Sequence, residues 1–138
     1  MIIGTGVFDG RNNYILSGTF HIERKSNSEF LFGTSDDFYF ENSRNTGTPA
    51  PGFALFRGDP TGMPIGIVAP IAEATDFLRI ADSPVEVRGK QSAIINNQID
   101  VEEFDTVFLW CFKYPMVLGV GTIIPPVGFV EKRGDSEV

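Results

Sequence analysis

The chain has 138 residues, a formal net charge of −7 and 42% hydrophobic residues, which is enough length for one domain with its own core. Thirteen Phe supply large buried areas and exclude a disordered chain. The acidic balance excludes a basic face for nucleic-acid phosphates and a polybasic membrane contact. No run of eighteen apolar residues exists to insert as a spanning helix. A single cysteine excludes an internal disulfide framework.

The opening residues, MIIGTGVFDGRNN, lack the basic and long apolar regions of a signal peptide. Within them Ile2 to Phe8 alternates and predicts an edge strand, and residues 9–13 carry the Asp, Gly and Asn of a turn. Tyr14 to Arg24 alternates more strongly, with Tyr14, Leu16, Gly18, Phe20 and Ile22 on one face and Ser17, Thr19, His21 and Glu23 on the other. That pattern predicts a half-buried antiparallel strand. Residues 25–28 turn the chain, and Glu29 to Gly33 and Phe38 to Phe40 read as two short strands. The Pro, Gly, Asn and Ser of residues 41–52 predict the longest loop. Phe53 to Phe56 reads as a strand, residues 57–62 as a turn, and Ile65 to Val68 as extended. Pro70 to Asp82 reads as extended with one turn of helix, since Ile71, Ala74, Leu78 and Ala81 also fit a helical face. Pro84 to Arg88 and Gln91 to Ile95 complete the strands before a turn at residues 96–98.

The longest apolar stretch runs from Phe104 to Ile123 and holds the only cysteine, Cys111, and the only tryptophan, Trp110. On a strand, Val107, Leu109, Cys111 and Lys113 share one face and Phe108, Trp110 and Phe112 the other. Both faces are apolar, which predicts a central strand. Pro115 should end it, and the returning strand from Met116 to Ile124 carries Gly119 and Gly121, marks of a bulge or a close approach. About ten short, mainly antiparallel strands predict an all-β single domain, a β-sandwich or barrel. Pro125-Pro126 ends the pattern, and residues 131–138 read as a flexible tail.

Catalytic signatures are sparse: no phosphate loop, no Cys-x-x-Cys, no His-Glu-x-x-His and no EF-hand loop. One His and one Cys cannot complete a Cys-His zinc set, so no metal site is predicted. His21, on a polar face, is a weak partner for a Cys111 dyad. Cys111 reads either as a small core hydrophobe or as a stabilised thiolate. For the latter, Lys113 on a regular strand would sit on the same side about 6.5–7 Å away. Glu102, Glu103 and Asp105, like Asp36 and Asp37, read as solvated turns, with a cation site as the alternative. Arg-Gly-Asp occurs at residues 57–59 and 133–135, a weak adhesive signal.

The succession Leu16-Ser17-Gly18-Thr19, Ser35-Asp36-Asp37-Phe38, Gly89-Lys90-Gln91-Ser92 and Val107-Phe108-Leu109-Trp110-Cys111-x-Lys113 resembles the DM-thirteen domain. This module accompanies DOMON domains in animal cell-surface proteins and has many bacterial relatives. The resemblance covers roughly residues 13–124, and its most specific piece is Trp110-Cys111 with the apolar strand and Gly119 that follow. It implies an all-β fold, an extracellular or periplasmic location, and electron transfer with a partner redox protein. The cysteine matched by Cys111 would act as a bare thiol or as a ligand to haem. The expectation is therefore an accessory redox module rather than a stand-alone enzyme, with Cys111 as redox group, Lys113 stabilising its thiolate and Trp110 walling the site. The competing expectation is a non-catalytic binding or adhesion module in which Cys111 is structural and the loops of residues 41–62 make the contacts.

Overall fold

The computed structural model describes residues 1–41, 51–74, 80, 86–95 and 100–126. Among them are eleven strands, all paired antiparallel, and one α-helix. The strands are β1 (Ile2–Val7), β2 (Asp9–Gly10), β3 (Ile15–Ser17), β4 (Thr19–Ser26), β5 (Glu29–Thr34), β6 (Tyr39–Glu41), β7 (Pro51–Phe56), β8 (Glu86–Arg88), β9 (Ser92–Ile95), β10 (Thr106–Cys111) and β11 (Met116–Thr122). They form two four-stranded sheets, β1-β4-β5-β9 and β2-β11-β10-β7, and a three-stranded sheet, β3-β6-β8. Of the sandwich or barrel expected from the alternating strands, the all-β sandwich is the architecture found.

The alternation of Tyr14 to Arg24 determines burial as predicted: Tyr14, Leu16, Phe20 and Ile22 are all buried. The run is nevertheless two strands rather than one. Gly18 has φ +108°, a conformation open to glycine at little steric cost, and the chain there passes from the small sheet (β3) to the first sheet (β4). A side chain at Gly18 would also meet the Phe38 backbone at 2.9 Å.

The main core lies where the inner faces of the sheets meet. Phe53, wholly buried, stacks on Phe8 with ring centroids 5.5 Å apart and lies 4.7 Å from Phe32 and 5.7 Å from Phe38. Stacked and tilted pairs of this kind add to the gain from burial alone. Leu16, Phe40 and Val87 of the small sheet join the same core.

β10 is central in its sheet, between β11 and β7, and all six of its residues are buried. Gly119 and Gly121 of β11 lie opposite Leu109 and Val107. A Cβ at Gly119 would stand 2.1 Å from Leu16 Cδ2 and 2.9 Å from the Asp9 carbonyl, and one at Gly121 would stand 2.7 Å from Phe20 Cε2. Glycine therefore lets Leu16 and Phe20 close onto bare backbone. Between Leu109↔Gly119 and Trp110↔Val117 the register shifts by one residue, so Leu118 is the extra residue of a bulge.

The extended reading of Ile65 to Val68 and of the start of the Pro70 segment is corrected by the helix α1 (Ile65–Ala74), which carries Pro70 inside it. The amides of Ile67 and Val68 bond to the Pro64 carbonyl at 2.9 and 3.2 Å and start the first turn. Val68 and Ala72, four apart and so on one face, are its buried residues; Ile71 and Ala74, taken from the sequence as the helical face, are exposed. Packing, rather than propensity, decides this segment: Val68 and Ala72 close a second cluster with Ala54, Phe56, Phe108, Trp110, Val117 and Val120. The sheet holding β10 is thus covered on both faces. The predicted turn at residues 96–98, most of the 41–52 loop and the tail lie outside the described residues.

Candidate functional site

Cys111 ends β10 on the core side. It is 4% exposed and belongs to the main core with Val107 and Leu109. Its cross-strand neighbours are Pro51 on β7 and Met116 on β11. Residues 112–115 form the turn that joins β10 to β11, and the backbone N–H of Tyr114 donates to Cys111 Sγ at 3.3 Å. The sulfur is therefore a packed side chain that also ties down the turn.

Two positions expected to serve it lie elsewhere. A regular strand from Cys111 to Lys113 was the condition for bringing the ammonium to the sulfur, and the strand stops at Cys111. Lys113 is exposed in the turn, its Nζ 5.6 Å from the centroid of the Tyr114 ring. Trp110 does not wall the cysteine either. Strand alternation sends it to the opposite face of β10, into the cluster beneath α1, edge-on to Phe108 at 5.8 Å. The two neighbours in sequence are separated by the sheet itself.

His21 is likewise remote from any thiol chemistry. It pairs across to Gly33 on the face of β4 opposite Phe20 and Ile22, and its ring lies over that glycine, where a Cβ would come within 2.7 Å of it. Haem ligation by Cys111 does not fit the packing. At 4% exposure in the main core, the residue leaves no open face among the described residues for a macrocycle.

The polar candidates are tied up in structural bonds. Glu102 pairs with Arg24 at 2.5 Å and Glu103 with Arg57 at 3.8 Å. Asp105 accepts from the Gly58 amide at 2.6 Å and from Thr106 Oγ1 at 2.8 Å. Asp37 accepts from Ser35 Oγ at 2.5 Å. Among the described residues no group of three or more His, Cys, Asp or Glu is arranged to hold a metal ion. Within Arg57-Gly58-Asp59, the aspartate is bound to its own chain by Thr61 and by Arg11, whose Nη2 lies 3.1 Å from it; Arg11 also pairs with Asp9. Burial opposes ionisation of Asp59, yet the bonds from Thr61 and Arg11 hold its carboxyl below the usual value. The hydrogen bond to Asp9, set against the cost of partial burial and helped by Asp59, keeps the Arg11 guanidinium firmly protonated.

The concave feature next to this hairpin lies on the tryptophan side. A groove of about 230 Å³ runs between the end of the β10–β11 hairpin and the start of α1. Met63, Ile65 and Val68 form one wall, Trp110, Met116 and Val117 the other. The aromatic-rich strand drew attention to Trp110, but the sequence gives no cue that residues 60–68 face it, because the helix there was not legible. A second concavity of about 290 Å³, lined by Ile3, Ile22 and Val101 with the acidic turn, is bordered by carboxylates already paired.

No protein-family model, curated protein or solved structure matches the chain.

Proposed function

We propose that the chain is a non-catalytic binding module in which Cys111 is structural. The observation that carries this reading is the burial of Cys111 in the main core, 4% exposed, together with a groove on the other face of the same strand. A thiol acts as a nucleophile or redox group through an accessible thiolate, and a packed sulfur serves as a small hydrophobe. The groove draws on Pro60 and Thr61, at the end of the loops of residues 41–62 expected to make contacts, and on Met63 just beyond them.

The second reading is an accessory electron-transfer module working with a redox partner protein, as the resemblance to the DM-thirteen domain implies. One observation favours it: the Tyr114 N–H donates to Cys111 Sγ at 3.3 Å, so the sulfur already makes a polar contact at the end of the hairpin.

Iodoacetamide at pH 7 separates the two. As a binding module, the folded protein resists alkylation until denaturant is added, and Cys111→Ser leaves electron acceptance unchanged. Rapid alkylation of the native thiol, with loss of electron acceptance in Cys111→Ser, would overturn the first reading in favour of the second.

A further inference from the structure

Trp110 is 2% exposed, and its indole N–H is a donor with no acceptor capacity. Buried donors of this kind ordinarily find an acceptor, and leaving one unpaired is costly. Among the described residues the Trp110 indole makes no hydrogen bond. Its strand partner on β7 is Gly52, which offers no side chain, and its ring neighbour is Phe108.

The same side chain lines the groove between the hairpin and α1. No lining residue is ionisable, so a charged occupant would lose its hydration without a counter-charge. The polar groups at the mouth are already engaged: Asn12 Nδ2 donates to the Val117 carbonyl at 2.7 Å, and the Thr61 amide and hydroxyl both donate to Asp59. Among the side chains lining the groove, the indole is thus the buried donor without a partner. Met63 and Met116 are flexible, polarisable walls that adapt to an apolar body. A volume of about 230 Å³ lies below the roughly 300–1,000 Å³ typical of drug-sized ligands, which suits a molecule of one ring.

We propose that this groove binds small uncharged organic molecules with an apolar body and a single oxygen acceptor, of the cyclic ketone or lactone class. The oxygen accepts the Trp110 indole N–H, and the apolar body lies between Met63 and Met116. The proposal rests on the binding-module reading and names its ligand class.

Trp110 is the only tryptophan in the chain, so its indole gives a single cross-peak in a ¹H–¹⁵N correlation spectrum. Titration of the full chain with cyclohexanone should move that peak downfield, saturably, and slow exchange of the indole proton. Methylenecyclohexane has the same shape without the oxygen; it should bind roughly tenfold more weakly and leave the downfield shift absent. Met63 is 41% exposed, so Met63→Asp should keep the folded spectrum and abolish the cyclohexanone shift. An indole peak that does not move saturably, or equal affinity for the two probes, would overturn the proposal. Cys111 and Trp110 lie on opposite faces of β10, so thiol reactivity and the indole titration fail independently. A reactive native thiol defeats the binding-module reading, whereas a silent indole peak defeats the ligand assignment.

Discussion

On one side of β10, Val107, Leu109 and Cys111 meet a core to which all three sheets contribute side chains and in which Phe53 touches three other aromatic rings. On the other, Phe108 and Trp110 meet one ten-residue helix with a proline inside it, buried through Val68 and Ala72. Both sides exclude water from β10, but by unlike means. The first is braced by strand ladders running on several sides. The second depends on a helix whose interior proline cannot donate to the preceding turn and whose Ile65 and Ile67 stay more than half exposed. The comparison teaches that complete burial of a strand does not imply equal rigidity on its two faces. The groove opens on the thinly covered one.

The largest expected effect tests that contrast directly. Phe53→Ala should destabilise by about 3–5 kcal/mol, read from denaturant unfolding, whereas Val68→Ala on the helix side should cost about 1–2 kcal/mol. Equal losses at the two sites would erase the distinction between the faces. Next, Gly119→Ala should cost about 1–3 kcal/mol by overpacking, since its Cβ would collide with Leu16 Cδ2 and crowd the Asp9 carbonyl. A double-mutant cycle with Leu16→Ala should recover part of that cost, and strict additivity would show that the sheets do not press together there.

Cys111→Ser should cost about 1 kcal/mol, the low end of the penalty for a buried hydroxyl, because the Tyr114 amide is ready to donate to the new oxygen. A neutral result by thermal melting would argue against a packed sulfur. The smallest effect is electrostatic. The folded carboxyl of Asp59 titrates below its unfolded value. The stability it contributes is therefore present above the unfolded pKa and lost as pH falls through the lowered folded one. The group is partly exposed, so solvent screening keeps the effect under about 1 kcal/mol. Asp59→Asn should flatten the acid limb of stability against pH, and an unchanged limb would mean the Arg11 pairing is solvated away.

Burial was most legible where alternation was unbroken. Tyr14, Leu16, Phe20 and Ile22 follow their period-2 pattern into the core, and the doubly apolar stretch from Thr106 is the central strand it reads as. Gly18 kept the alternation while changing the sheet, which a pattern of burial cannot reveal. Residues 65–74 misled for a related reason: a helix apolar nearly all round has no face to show, and Pro70 suggested a start rather than an interior position. At the cysteine, the facing of Trp110 away from Cys111 was implicit in the alternation of β10, so a shared site was never available to the pair. Lys113 depended on where the strand stopped. That point is set by a four-residue turn ahead of β11, and not by Pro115 alone.

The bulge at Leu118 bears on how the hairpin could change in length. Leu109 pairs with Gly119 and Trp110 with Val117, so deleting Leu118 would leave a regular ladder with every one of those pairs intact. No side chain would change face. What would vanish is one fully buried leucine beside a glycine that has none to offer. At most points in a strand a lost residue turns the following side chains inside out. Here the chain can shorten by one and pay only in core volume, which makes residue 118 a place where indels alter filling without altering pairing.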